Sequence, residues 1–296
     1  MFYKITRRIF TGLLALIALL VNATATPTRA KAPYDALTVV YADTACGDLK
    51  LFLPEDVQDG ANVLLTIPGG GWFSGNASMF YDDCRAAARN GFIAASMNYS
   101  KLQNGVGAED MANEVGLAVG ALKAALESRG IRPGKLILAG HSAGAHIMLL
   151  YAYAHAKDCP MEIAFLVSNS APVEFLSDPK TRTTLLGMFA YPLLSCFTKE
   201  VVTPSTVEKN REAIDRVSPL TLVTGDVPPT IVVQGDADDF VPFGNSVMLY
   251  DALQANGVDS EHIVYPGAGH FLGVKYVDGN TARTEAFYTF LEKYGG

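Results

Sequence analysis

A serine flanked by glycines at the end of an apolar run constrains the fold of this chain most. Residues 136–139 are apolar, residues 140–144 read Gly-His-Ser-Ala-Gly, and an alanine-rich segment typical of a helix follows. This order predicts a strand, a tight turn and a helix, with Ser142 at the bend. Glycine two positions before and two positions after the serine lets the two backbones approach closely.

The predicted turn also favours chemistry at Ser142. The first amides of the following helix point back toward the serine oxygen and favour negative charge nearby. An exposed hydroxyl in such a place suits an acyl-transfer nucleophile. A glycine–serine turn without a catalytic role is the alternative. Motifs elsewhere in the chain are needed to distinguish the two interpretations.

The rest of the chain alternates between strand and helix patterns. Strands are predicted at residues 36–41, 49–54, 62–68, 92–99, 135–139, 163–169, 230–234 and 260–265, and helices at residues 79–90, 109–128, 245–255 and 281–294. The first two strands alternate in polarity and predict an antiparallel edge pair, whereas the later apolar runs are typical of strands buried on both faces. We therefore predict an α/β fold with a mainly parallel sheet and helices on both faces.

Residues 171–226 interrupt this alternation. They contain several prolines and short apolar clusters without a clean strand–helix repeat. An insertion at the carboxyl edge of such a sheet commonly builds a cap or one wall of a pocket, which is our prediction here. Crossover helices with a long surface loop are the alternative. No repeat or linker divides the chain, so residues 31–296 are predicted to form one domain.

The first thirty residues are predicted to be a secretory signal. Basic side chains occur among the first eight residues, an apolar run follows at about residues 13–21, and small residues at 23–25 and 28–30 provide two cleavage sites. Residues 6–10 also resemble the twin-arginine export motif. The apolar run is roughly half the ~20 residues that span a bilayer, which disfavours a membrane anchor. We expect an exported protein, periplasmic or secreted, without stable membrane insertion after signal removal.

Composition excludes several classes of protein. The 296 residues are 49% hydrophobic and 18% charged, with a net charge of −7, which suits a large core and not a disordered chain. Lys and Arg are scattered, so nucleic acid is not an expected partner. The four cysteines lack zinc-ligand spacing, so no metal is expected. Export would permit one or two disulfides, whose pairing the sequence leaves open, as it does the oligomeric state.

Among the five histidines, His270 is the best placed to activate a serine. A serine hydroxyl is a poor nucleophile at neutral pH and needs a base to accept its proton. His270 lies in a glycine-rich loop after a predicted strand, at the edge where parallel α/β sheets form their sites. His141 would point away from Ser142 in a sharp turn, and the other three lie on predicted helices or strands. A plain surface histidine is the alternative.

The acid that would orient this base is expected in another loop that follows a strand. Asp236, Asp238 and Asp239 lie together after the strand predicted at 230–234. Asp236 can cap the turn itself, whereas local chemistry does not separate Asp238 from Asp239, and a solvated acidic turn is the alternative for all three. The chain order serine, acid, histidine matches one arrangement of the catalytic triad.

Three motifs together resemble the α/β-hydrolase family, most closely its small carboxylesterases of the lipase/esterase kind. They are Gly-x-Ser-x-Gly around Ser142, Gly-x-x-Asp-x-x-Val-Pro at residues 235–242 and Pro-Gly-x-Gly-His at residues 266–270. The resemblance covers nearly all of the chain after the signal. In that family the acid is the aspartate three positions before the Val-Pro pair. The resemblance therefore implies a triad of Ser142, Asp238 and His270.

The glycine loop at residues 69–72 resembles the His-Gly-Gly-Gly-Trp motif of these esterases. An acyl-transfer oxyanion must be met by positioned donors. The loop and the motif around the serine imply that these donors are the backbone N–H groups of Gly70, Gly71 and Ala143. Trp72 either lines the substrate pocket or braces the loop.

Two positions depart from the family pattern. Pro68 stands where the glycine motif usually has histidine, and Gln234 stands where a histidine often precedes the glycine. Neither is a triad position. Proline removes a side-chain donor that would tie the loop down, while its fixed φ stiffens the entry to the loop.

The sequence thus predicts a serine hydrolase that cleaves small-molecule carboxylic esters through an acyl-enzyme, without metal or organic cofactor. An amidase, formamidase or peptidase would use the same triad, and a non-catalytic binding protein on a hydrolase fold is a third reading. The acyl and alcohol groups of the substrate do not follow from the sequence.

Overall fold

An eight-stranded sheet forms the centre of the computed structural model, which describes residues 34–176, 189–272 and 282–296. Its strands are β1 (Tyr34–Val40), β2 (Asp48–Pro54), β3 (Val63–Ile67), β4 (Ile93–Met97), β5 (Leu136–His141), β6 (Ile163–Asn169), β7 (Thr230–Gly235) and β8 (Ser260–Tyr265). They lie in the order β1-β2-β4-β3-β5-β6-β7-β8. Each predicted strand matches one of these, with ends that agree to within two residues.

The sheet is mainly parallel. β1 pairs antiparallel with β2, and β2 pairs antiparallel with β4. Every other pairing, from β4 through β3, β5, β6 and β7 to β8, is parallel. The predicted antiparallel edge pair and the predicted α/β class are therefore confirmed.

Helices lie between most of the strands. The described α-helices are α1 (Tyr81–Arg89), α2 (Ala108–Glu127), α3 (Ala143–His155), α4 (Ala190–Thr198), α5 (Arg211–Arg216), α6 (Gly244–Ala255) and α7 (Ala282–Tyr294). Short 3₁₀ turns occur at Ala77–Phe80, Leu102–Asn104, Ala156–Asp158 and Pro219–Leu222. The four helices that the sequence predicts by residue range correspond to α1, α2, α6 and α7.

Two apolar cores lie on opposite faces of the sheet. Along β3, Val63 and Leu65 belong to the core that α2, α3 and α6 cover, whereas Leu64 belongs to the core that α1 and α7 cover. Successive side chains of a strand point to opposite faces, so a strand covered on both sides is apolar throughout. This burial explains the continuous apolar runs in the sequence.

The segment between β6 and β7 contains α4, α5 and the 3₁₀ turn at Pro219–Leu222. Leu193 and Phe197 of α4 are buried in the same core as α2 and α3. Part of the predicted cap lies outside the described residues. The role of residues 171–226 as a cap or pocket wall remains a prediction.

The predicted signal also lies outside the described residues. Within the described ranges, no helix has the length and apolarity needed to cross a bilayer. All four cysteines are described, and no disulfide joins any of them. The buried Cys84 lies 3.6 Å from the hydroxyl of Thr66, consistent with a packed structural role.

Candidate active site

Ser142 occupies the sharp bend between β5 and α3. Its φ of 53° and ψ of −123° fall where residues other than glycine are rare. Its N–H donates to the carbonyl of Asn169 at 2.9 Å, and its own carbonyl accepts the N–H of His146 at 3.0 Å. The structure therefore contains the strained strand–turn–helix connection that the motif predicts.

Close backbone contacts explain the glycines around this bend. A Cβ on Gly144 would lie 2.2 Å from the carbonyl oxygen of Ile67, and a Cβ on Gly140 would lie 2.5 Å from the Cα of Ala145. A Cβ on Gly69 would lie 3.2 Å from the Cβ of Ser142. The glycine loop therefore runs directly beside the serine.

His270 and Asp238 form a buried hydrogen-bonded pair. Nδ1 of His270 donates to Oδ2 of Asp238 at 2.8 Å. Gln234 Nε2 also donates to Oδ2 at 3.1 Å, and the N–H groups of Phe240 and Val241 donate to Oδ1. Burial alone would raise the pKa of the Asp238 carboxyl, but the hydrogen bonds from His270 and the backbone outweigh it and lower that pKa. Asp238 is thus ionised at neutral pH.

The structure separates the three aspartates that local sequence left open. Asp238 is buried against His270, whereas Asp239 is exposed. Asp236 accepts the N–H of Gly267 at 2.6 Å and so ties its loop to the loop that carries His270. Of the three carboxylates, Asp238 is therefore the one that orients the imidazole.

His141 connects the serine turn to the His270 loop. Its Nε2 donates to the carbonyl of His270 at 3.0 Å, and the two ring centroids lie 4.8 Å apart. Burial lowers the pKa of His141 to about 4, which keeps the ring neutral. The sequence contains no signal for this contact, because the two residues are 129 positions apart.

The site lies at the carboxyl ends of four parallel strands. The glycine loop follows β3, Ser142 follows β5, Asp238 follows β7 and His270 follows β8. Among the described residues, no hydrogen bond joins the Ser142 hydroxyl to the His270 ring. Catalytic hydrogen bonds are often long until substrate binds. The described residues contain no group of three or more side chains suited to hold a metal ion.

The glycine loop has an unusual backbone. Its φ values are 130° at Gly70, 58° at Gly71 and 63° at Trp72. Glycine adopts positive φ freely, but tryptophan pays roughly 1–2 kcal/mol for the left-handed conformation. Ala143 begins α3 directly after Ser142. The three predicted oxyanion donors therefore lie on two segments that meet at the serine.

Trp72 is buried and braces the loop. Its indole Nε1 donates to Nδ1 of His146 at 3.1 Å, and its ring packs against Phe175 and Phe197. These contacts match the bracing role, one of the two that the sequence allows for Trp72. Its predicted place in the substrate pocket remains a prediction.

Other contacts compensate for the two departures from the esterase pattern. The hydroxyl of Tyr99 donates to the carbonyl of Pro68 at 3.0 Å, and the N–H of Leu102 donates to the carbonyl of Trp72 at 3.0 Å. The β4–α2 connection therefore holds the loop that Pro68 enters. Gln234 donates to both Asp238 and the carbonyl of Val241, so it still steadies the acid.

The sheet order, the serine turn and the glycine loop define an α/β hydrolase. The chain belongs to the BD-FAE family, a family of α/β-hydrolase esterases whose model matches residues 49–253. The resemblance inferred from the three motifs is thereby confirmed.

Curated relatives and a solved structure are also similar to this chain. Isoprenylcysteine alpha-carbonyl methylesterase ICME of Arabidopsis thaliana is 26% identical over 79% of this chain and 56% of its own length. Esterase LipQ of Mycobacterium tuberculosis is 25% identical over 78% of this chain and 55% of its own. The chain thus spans little more than half the length of these relatives. Esterase B of Lactobacillus rhamnosis superposes with a TM-score of 0.77 at 18% identity, covering 99% of this chain and 95% of that chain, which shows a shared fold.

Proposed function

We propose that this protein is a serine hydrolase that cleaves carboxylic esters through an acyl-enzyme. Its membership of an esterase family and its relatives named as esterases support this function. The observation that carries the proposal is the 2.8 Å hydrogen bond from His270 Nδ1 to Asp238. That bond holds the proton on Nδ1 and leaves Nε2 with a lone pair, which is the tautomer that a general base requires.

The proposed reaction begins when Ser142 Oγ attacks the ester carbonyl and His270 Nε2 takes the hydroxyl proton. The backbone N–H groups of Gly70, Gly71 and Ala143 stabilise the resulting oxyanion. His270 then gives its proton to the departing alcohol and leaves the acyl group on Ser142. Water attacks the acyl-enzyme with His270 again as base, which releases the carboxylic acid and restores the serine.

Asp238 supports both proton transfers. It keeps the imidazole in one tautomer and orientation and stabilises the imidazolium that forms in each half-reaction. The reaction uses a small-molecule ester and water and requires no cofactor. The segment at residues 171–226 is proposed to cover or wall the substrate pocket. The pattern of the first thirty residues supports an exported, periplasmic or secreted enzyme.

Hydrolysis of p-nitrophenyl esters from acetate to octanoate tests the proposed function. Ser142→Ala is expected to reduce kcat/KM by about 10³-fold or more, because the nucleophile is lost. Ser128→Ala is the matched control, since Ser128 is exposed at the end of α2 and its hydroxyl donates to the carbonyl of Ala125 in the same helix. A matched p-nitroanilide measures amide cleavage beside ester cleavage. Undiminished turnover by Ser142→Ala would refute the assignment of the nucleophile.

A further inference from the structure

A buried histidine joins the glycine loop to the segment between β6 and β7. His146 lies one helical turn after Ser142 and is fully buried. Its Nδ1 accepts the indole N–H of Trp72 at 3.1 Å, and its Nε2 contacts the carbonyl of Val217 at 2.9 Å. An indole nitrogen only donates and a carbonyl only accepts, so these partners assign the proton of His146 to Nε2.

Aromatic packing fixes this ring in one orientation. Phe197 of α4 stacks on His146 with centroids 5.3 Å apart and a 23° angle between the planes. Phe175 and Trp72 meet the ring edge-on at 5.5 Å and 5.3 Å. Burial lowers the pKa of His146 to about 4, so the ring is neutral and Nδ1 remains an acceptor at physiological pH. Protonation of Nδ1 would remove the bond to Trp72.

The backbone of the glycine loop needs such an anchor. Gly70 and Gly71 directly precede Trp72, and all three have positive φ. The left-handed conformation of Trp72 has a steric cost, which the contacts of its side chain and the hydrogen bond from the Leu102 N–H to its carbonyl offset. A shift of the indole would move the two preceding N–H groups. A displacement of about 1 Å in a catalytic group costs roughly 10²-fold in rate.

We propose that His146 is a positioning residue for ester hydrolysis. Through Trp72 it fixes the N–H donors of the glycine loop, and through Val217 it connects that loop to the segment before β7. His146 is placed to act on the loop and not on the reacting atoms. The proposal rests on the proposed function, because the loop has a catalytic role only if Ser142 forms an acyl-enzyme.

Two substitutions separate the two hydrogen bonds of His146. The Oδ1 of asparagine occupies nearly the place of Nδ1 in histidine, so His146→Asn keeps an acceptor for Trp72. The Nε2 of glutamine occupies nearly the place of Nε2 in histidine, so His146→Gln keeps a donor to Val217. Trp72→Phe removes the indole N–H and keeps an aromatic ring in the cluster. His155, exposed at the end of α3, provides matched control variants His155→Asn and His155→Gln.

Kinetics with p-nitrophenyl acetate provide the test. His146→Gln and Trp72→Phe are expected to lower kcat by about 10- to 100-fold with KM changed less than about threefold, because the donors act in the transition state. His146→Asn should stay within about threefold of wild type, since the acceptor is retained. The double variant Trp72→Phe/His146→Gln should fall no further than either single variant, as expected for residues that act as a unit.

The outcomes distinguish the two proposals. Additive losses in the double variant, or equal losses in His146→Asn and His146→Gln, would overturn the positioning role. Turnover that depends on Ser142 but is unchanged in Trp72→Phe and His146→Gln would overturn the positioning role and leave the proposed function standing. Wild-type protein without Ser142-dependent turnover would overturn the proposed function and this role with it. Circular dichroism and urea midpoints identify variants that fail to fold. If a His146 variant fails to fold, the kinetics of Trp72→Phe still test the positioning role.

Discussion

Burial of neutral His146 should make the folding stability of this protein fall in mild acid. The pKa of His146 is lowered from 6.5 to about 4, chiefly because burial disfavours the charged ring. Between these values the unfolded chain binds a proton that the folded chain does not. The contribution of His146 to stability is therefore complete above about pH 6.5 and is lost progressively as the pH falls toward 4.

The size of this effect follows from the difference between the folded and unfolded pKa. At about 1.4 kcal/mol for each pH unit, the complete loss is about 3 kcal/mol. At pH 4.5 most of it, about 2–3 kcal/mol, should already be lost. Such a loss is a large fraction of the about 5–15 kcal/mol that stabilises a typical domain.

Urea unfolding of the wild type and His146→Asn at pH 7.5 and pH 4.5 measures this contribution. Asparagine does not titrate, and all other ionisable groups are common to both proteins. The difference in unfolding free energy between the two proteins therefore isolates His146. We expect the advantage of the wild type at pH 7.5 to shrink by about 2–3 kcal/mol at pH 4.5. An advantage that changes by less than about 0.5 kcal/mol would refute the reasoning, since His146 would then titrate alike in both states.

Two other substitutions test the acid and the serine turn. Asp238→Asn should lower kcat for p-nitrophenyl acetate by about 10³- to 10⁴-fold, because the amide favours the wrong tautomer of His270. Asp239 is an exposed neighbour, so Asp239→Asn should keep the wild-type kcat. Similar losses of kcat in both variants would contradict the assignment of Asp238 as the acid. Gly144→Ala should lower the unfolding free energy by about 2 kcal/mol or more, because its Cβ would lie 2.2 Å from the carbonyl of Ile67. A Cβ on Gly120 in α2 would meet no atom closer than 3.7 Å, so Gly120→Ala should be neutral or stabilising by up to about 1 kcal/mol. Equal urea midpoints for the two alanine variants would contradict the packing argument.

The fold was predictable because burial leaves a direct trace in the sequence. Apolar runs at residues 62–68 and 163–169 correspond to β3 and β6, which are covered on both faces. The serine turn was predictable for a similar reason, since only glycine fits the close contacts at positions 140 and 144. Residues 171–226 gave no clear pattern, because the two α-helices in the described part of this segment, α4 and α5, are short and separated by irregular chain.

Contacts between distant segments were not predictable from local chemistry. Burial distinguishes Asp238 from Asp239, although both are adjacent aspartates in one turn. The bonds of His146 to Trp72 and Val217 span 74 and 71 positions, and the sequence shows only a histidine on a helix. Such contacts depend on the order of the strands in the sheet, which brings separate loops to one edge.

Mass spectrometry of protein treated with a fluorophosphonate tests the central claim most directly. Such a probe forms a stable adduct with a serine that a neighbouring base activates. The proposed mechanism predicts one adduct in the wild type, located on Ser142, which is absent in Ser142→Ala and forms far more slowly in His270→Ala. Wild-type protein that carries no adduct, or carries it on another residue while Ser142 stays unmodified, would contradict the claim.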